Sequence, residues 1–312
     1  MAAYSFVHMD EELKIALIGG SGLAQLFSGV GENTKRHEGI STPFGAPSDA
    51  ILETSMDGVS VFLLSRHGPG HVLNPSEVPY RANLFALKQL GCTHILATGA
   101  VGSLRDEFRP RDLVIPDQII DKTRREGTFF DHAAVHVEFA EPFCPVLRRI
   151  LIETANSQEN SSHKTHGRGC YVCMEGPAFS TRAESLMHRV WGGDLIGMTA
   201  MPEAKLAREA EMPYAHVSLV TDYDSWRVKT SATEGEALLD EILGNLNAAS
   251  ENAMRLLRQA IKAMLQRREE LAACPARQAL KLAIWSDKSR IDENEVRRLG
   301  SLWLKYFDQP KG

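Results

Sequence analysis

Five short apolar runs in this chain each break off into a polar or glycine-rich turn: at Ser21, Arg66-His67, Gly99-Ala100, Thr199 and Asp222. Between them lie segments with the apolar spacing of helices, residues 78–90 and 201–211 among them. Strands alternating with helices require a largely parallel sheet covered by helices, and such sheets take ligands outside the carboxyl ends of their strands. An Asp57-Gly58 pair between two β-rich runs adds an antiparallel hairpin, so the sheet is mixed. The expected fold is α/β: one large domain with a central mixed, largely parallel β-sheet flanked by helices, followed by a helical tail.

Composition narrows the class. Of 312 residues 43% are apolar, ample for a core, yet no apolar run approaches the roughly 18 residues of a spanning helix. The first dozen residues are mixed and acidic, unlike a signal peptide. Five cysteines without regular spacing fit a reducing cytoplasm better than a disulfide framework. A net charge of -5 gives no electrostatic reason to expect nucleic acid. The expectation is a cytoplasmic protein with neither membrane nor nucleic-acid partners. Residues 1–13 read as an extension, 14–271 as the domain and 272–312 as the tail. A long amphipathic helix is expected over 234–268, and another over 293–307 with Val296, Leu299, Trp303 and Tyr306 on one face.

The strand ends carry the candidate chemistry. Gly19-Gly20-Ser21-Gly22 either cradles an anion with backbone N–H groups and the Ser21 hydroxyl or is a structural turn. It is not a dinucleotide fingerprint, because Gln25 stands where close packing asks for Gly or Ala. Arg66 and His67 bring a guanidinium and an imidazole to a strand end, and arginine is the side chain best suited to grip phosphate bidentately. Residues 174–184 read as a strand end, a Gly176-Pro177 stop, then Ser180 or Thr181 capping a helix with Glu184 as the third member of a capping box. Phe179 in that turn is either core or a ligand face. Asp222 and Asp224 are either a solvated turn or a site. Cys170 and Cys173, three apart on a strand, point to opposite faces and cannot share a metal. No His or Cys pair has convincing metal-ligand spacing. An oxyanion set (Ser21, Arg66, His67, Thr199) and a heterocycle set (Phe179, Ser180, Asp222, Asp224) together point to a nucleoside or nucleotide.

Several motifs in register then become informative. They are Gly-Gly-Ser-Gly-Leu at 19–23, Thr-Pro-Phe-Gly-Ala-Pro-Ser at 42–48, Arg-His-Gly at 66–68 and Glu-Pro-Phe-Cys-Pro at 141–145. Glu-Gly-Pro-Ala-Phe-Ser-Thr-Arg-Ala-Glu follows at 175–184, Gly-Met-Thr-Ala-Met-Pro-Glu at 197–203 and Thr-Asp-Tyr-Asp-Ser-Trp at 221–226. Over about 14–265 the chain resembles the trimeric purine nucleoside phosphorylases, nearest to their methylthioadenosine phosphorylase branch; the tail after about Ala272 lies outside the resemblance. The resemblance implies reversible phosphorolysis of 5'-methylthioadenosine, with a 6-oxopurine nucleoside phosphorylase as the alternative. It implies a homotrimer, no cofactor, and inorganic phosphate as co-substrate. Phosphate would be held by Ser21, Arg66, His67, the Gly99-Ala100 turn and Thr199, with Gly99 standing where relatives often carry a threonine. Met198 would lie along the ribose, Phe179 and Ser180 beside the base, and Asp222 and Asp224 on its polar edge. His136 would be lent to a neighbour's 5' pocket, and Leu239 would line that pocket.

Overall fold

Ile15, Ala16, Leu17 and Ile18 are all fully buried, so the strand they form is covered on both faces, as a central parallel strand must be. The structure, a computed structural model, describes residues 12–20, 34–157, 163–227 and 235–307, with only the backbone of 235–239. Its strands are β1 (Lys14–Gly19), β2 (Lys35–His37), β3 (Ile51–Met56), β4 (Val59–Ser65), β5 (His94–Ser103) and β6 (Leu113–Val114). They continue as β7 (Gln118–Asp121), β8 (Thr165–His166), β9 (Cys170–Cys173), β10 (Leu195–Gly197) and β11 (Tyr214–Tyr223). All join one mixed sheet. β1 runs parallel to β4 and β5, β5 to β11, and β9 to β7 and β10. β3 is antiparallel to β2 and β4, through a hairpin whose Asp57 and Gly58 both take positive φ (51° and 82°).

Alternation along β1 sends Ala16 and Ile18 into one core and Ile15 and Leu17 into the other. Helices Tyr80–Gln89 and Ala200–Glu209 cover the first face; Pro145–Asn156 and the long Gly235–Leu265 cover the second. The molecule is therefore a sheet between two helical layers. Helix Pro145–Asn156 was not foreseen from the sequence, because it follows an irregular stretch that offers no periodic lead-in.

Two expectations need correction. Gly99-Ala100 is not a turn: β5 continues through it to Ser103, since Gly99, Ala100 and Val101 pair in register with Ser218, Leu219 and Val220 of β11. Ladder hydrogen bonds outweigh the turn preference of a lone glycine. The tail helix expected over 293–307 is broken into Glu293–Arg298, Gly300–Trp303 and a 3-10 turn, Leu304–Tyr306. Gly300 is a weak helix former, and the break lets Leu299, Leu302 and Trp303 all enter the first core. Trp303 is fully buried with its ring 4.8 Å from Phe130, and Tyr306 donates to the Glu211 carboxylate at 2.5 Å. The tail is thus packed on the sheet's own helices.

Candidate active site

The sheet splits at one place. β1 pairs with β5 only as far as Ala97, and β10 joins the same strand from Gly102 onward. Between them one edge of β5 has no strand partner among the described residues. Arg66, just past the end of β4, turns into this gap and donates from Nη1 to the Thr98 carbonyl at 2.9 Å. Strand hydrogen-bonding groups alternate between edges, so Ala100, exposed, presents its N–H to the same opening as Thr98. A gap where the chain changes direction across a parallel sheet is where α/β folds hold ligands.

Arg66 is 1% exposed, and the forked face that the sequence assigned to phosphate is on Glu203, at 2.8 Å from Nε and 3.0 Å from Nη2. Burial alone would pull this guanidinium down, but the Glu203 carboxylate more than offsets that and holds it above its ordinary range. Glu203 also accepts from the Tyr214 hydroxyl at 2.9 Å. The remaining N–H groups of Arg66 are what it has for a ligand. Sequence reading placed Glu203 only at a helix start; its partner lies 137 residues away, and no local signal links them.

His67 is buried, and burial pushes its imidazole down to about 4, so it is neutral at pH 7. Its Nδ1 lies 2.8 Å from the Leu73 carbonyl, which only accepts, so the proton sits on Nδ1 and Nε2 is an acceptor. His71 stacks on the ring at 4.1 Å. Thr199 is buried just beyond β10. A Cβ on Gly99 would come within 3.4 Å of the Thr199 hydroxyl and 3.2 Å of Nε2 of His216. Arg66, Gly99, Ala100 and Thr199 are therefore brought together around the split. Ser21 lies outside the described residues.

The second set gathers at the far end of β5 and β11. Val220 pairs with Val101 and Asp222 with Gly102, leaving Thr221 as a bulge. Adjacent β5 residues face opposite sides, so the bulge turns Asp222 away from the side that Val220 buries. Asp222 accepts from the Thr221 hydroxyl at 2.7 Å. Asp224 is buried, its N–H donates to the Ser103 carbonyl at 3.0 Å, and its Oδ2 has no hydrogen-bond partner among the described residues. The Ser225 hydroxyl donates to the Ser180 carbonyl at 2.8 Å, tying this strand end to the loop that carries Phe179. That loop enters helix Arg182–Val190 through the foreseen capping box, with Thr181 as the cap. Ser180 is buried and Phe179 is 82% exposed. Met198 is half-buried, its sulfur so near Gly176 (φ 70°) that a Cβ there would lie 2.6 Å from it.

Arg125 locks these parts to one another, and sequence reading missed it because it sits in the irregular stretch after β7. It donates to the Met198 and Met201 carbonyls (2.6 and 3.0 Å) and the Tyr80 hydroxyl (2.9 Å), and pairs with Glu175 (3.1 Å). It also lines a groove of about 420 Å³ with Phe44, Tyr80, Arg81 and Glu175, which contains none of the foreseen site residues. His136 is exposed and is met by the tail: its N–H donates to the Ala283 carbonyl (2.9 Å), and Trp285 lies edge-on to its ring (4.6 Å). Leu239 falls on the long helix, where its side chain is outside the described residues. Among the described residues no cluster of three His, Cys, Asp or Glu could hold a metal, and no helix is long and apolar enough to cross a membrane. The Arg66 guanidinium beside the open edge of β5 could take an oxyanion there, and the carboxylates of Asp222 and Asp224 stand at the far end of the same strand pair.

Known proteins resemble this chain in sequence and in fold. A family model described as "Phosphorylase superfamily" matches residues 14–262. S-methyl-5'-thioadenosine phosphorylase of Gloeobacter violaceus is 43% identical, over 95% of this chain and 96% of its own. Residues 273–312 are a larger share of the chain than the 5% left uncovered, so the likeness runs into the tail that motif reading had left out. Among solved structures, a methylthioadenosine phosphorylase from an antarctic soil metagenomic library superposes with a TM-score of 0.85 at 42% identity, covering 94% of this chain and 99% of that one. The methylthioadenosine phosphorylase of Schistosoma mansoni, described in complex with adenine, gives 0.78 at 34% identity over 88% and 99%. The chain belongs to the phosphorylase superfamily.

Proposed function

We propose, with membership of that superfamily as the premise, that this enzyme catalyses the reversible phosphorolysis of 5'-methylthioadenosine to adenine and 5-methylthioribose 1-phosphate. The observation that carries the reading is the split edge of β5, flanked by Arg66 and Thr199, with two aspartates delivered to the end of the same strand. Relatives at about this similarity bear the name of that activity.

In this reading phosphate sits at the split, held by Ser21, the Ala100 N–H, Thr199 and the N–H groups Arg66 has left, with Gly99 making room. His67 accepts from the phosphate O–H through Nε2, which turns the charged oxygens toward the sugar. One of those oxygens bonds to C1' as the C1'–N9 bond breaks and its electron pair passes to the purine. The transition state is cationic at the ribose, so a fixed anion beside it both stabilises charge and supplies the nucleophile. Adenine leaves poorly as an anion; Asp222 gives N7 a proton as general acid, and Asp224 accepts from the 6-amino group. Phe179 and Ser180 flank the base and Met198 the ribose. The active form is a cytoplasmic homotrimer in which His136 enters a neighbour's 5' pocket beside Leu239. Phosphate is a co-substrate, and no cofactor is needed for any of these steps.

The test is release of free base from methylthioadenosine, adenosine and inosine, with and without phosphate. Adenine released from methylthioadenosine only when phosphate is present is the expected result. Release without phosphate would make the protein a hydrolase, and preference for inosine a 6-oxopurine phosphorylase.

A further inference from the structure

His216, near the start of β11, is fully buried, yet one of its ring nitrogens has no hydrogen-bond partner among the described residues. Nδ1 lies 2.9 Å from the Ser218 hydroxyl; Nε2 has no hydrogen-bond partner among the described residues. Native proteins rarely leave such an atom unpaired, and the exceptions mark places where a ligand or water completes the set. The unpaired nitrogen is aimed at Gly99. A Cβ there would lie 3.2 Å from Nε2 and 3.4 Å from the Thr199 hydroxyl, so ring and hydroxyl flank one spot on the split edge of β5. The glycine is what leaves that spot open. Tyr171 meets the imidazole edge-on at 5.4 Å and fixes its plane. We propose that His216 is a phosphate-binding residue of this site, donating from Nε2 across the space left by Gly99 to the oxyanion that Thr199 also holds.

The chemistry supports an anion at this spot. Burial and the nearby Arg66 charge keep the ring neutral, pushing it down to about 3. Burial disfavours charge of either sign, but the Arg66 charge that disfavours a proton on His216 favours a phosphate oxygen in the same opening. A Ser218 hydroxyl donating to Nδ1 leaves the single ring proton on Nε2, which makes that nitrogen a donor. His67 has the opposite tautomer, set by the Leu73 carbonyl. One histidine thus accepts from the phosphate O–H and the other donates to a bare oxygen, an arrangement that selects a singly protonated dianion in one orientation.

The inference rests on the phosphate site proposed above, and the experiment separates the two. On the full-length protein, His216→Ala is expected to raise KM for inorganic phosphate about tenfold or more, the effect of losing a hydrogen bond to a charged group, while KM for the nucleoside stays within about twofold. Adding Gly99→Ser to His216→Ala puts a hydroxyl back into the freed space and is expected to recover most of the loss. An unchanged phosphate KM in His216→Ala overturns the inference. Should that variant not fold, the wild-type protein labelled with 15N-histidine is titrated with phosphate. A His216 Nε2–H resonance that shifts downfield at saturation supports the assignment; phosphate binding with His216 unmoved overturns it alone. A wild-type protein that binds no phosphate removes the site itself and the inference with it.

Discussion

Arg66, Glu203 and Thr199 stand behind the split in the sheet with almost no exposed surface, whereas Phe179, at the other end of the site, is 82% exposed. The buried end is tied by the Arg66–Glu203 pair, the Tyr214 hydroxyl and the Thr98 carbonyl. The open end is a loop and a bulged strand end stitched by single bonds such as Ser225 to Ser180. The contrast follows from what each end must do. Charge stabilisation works best through dipoles and charges that do not reorganise during the reaction, so a phosphate held at the split, as proposed, would meet a rigid wall. A flat base, placed as proposed, needs a surface to stack on and a way in, and the exposed Phe179 offers both.

The contrast can be tested from the buried end first. Glu203→Ala would strand the Arg66 charge in the core, and about 3–5 kcal/mol of stability should go with it in urea unfolding. A loss below about 1 kcal/mol would mean that the buried end does not owe its rigidity to this pair. Acid offers the next largest effect. Burial pushes His67 down to about 4 and His94 and His216 to about 3, against an ordinary 6.5. Below pH 6.5 the unfolded chain therefore binds more protons than the folded one. The contribution of neutral burial is complete above about 6.5 and is lost as pH falls toward 4, by at most about 1.4 kcal/mol per pH unit for each histidine. Unfolding midpoints that stay level between pH 7 and 5 would contradict this.

At the open end the effects should fall on kinetics. Asp222→Asn is expected to lower turnover on methylthioadenosine by at least about tenfold, and unchanged turnover would remove Asp222 as the proton donor. Phe179→Ala should raise KM for the nucleoside about fivefold, near the lower end of the roughly 1–3 kcal/mol that base stacking contributes. Its unfolding midpoint should not move, because an 82% exposed ring holds little of the fold together. A clear drop in stability would show that Phe179 is packed in solution, and the two ends would then differ less than their burial implies.

Much of this was legible residue by residue. The Asp57-Gly58 hairpin, the Thr181–Glu184 cap and the strand ends at Arg66, Thr199 and Asp222 all depend on a few neighbouring residues and were readable from them. What was misread depended on partners far along the chain. Gly99 looks like a turn until β11 lies beside it; Arg66 looks free to grip phosphate bidentately until Glu203 takes its fork. The tail reads as one helix, yet Leu299, Leu302 and Trp303 enter a shared core only if it breaks.

The sequence by itself determined most of the alternation of strands and helices, the strand stops near Arg66, Thr199 and Asp222, and the polar groups that stand there. These are local properties, written in spacing over a turn or a pleat. The tertiary structure alone decided that β1 and β10 leave a gap along β5, that a bulge at Thr221 turns Asp222, and that Gly99 opens toward His216. Those facts depend on strand order and register, which are fixed only when distant segments close on one another and bury their shared faces.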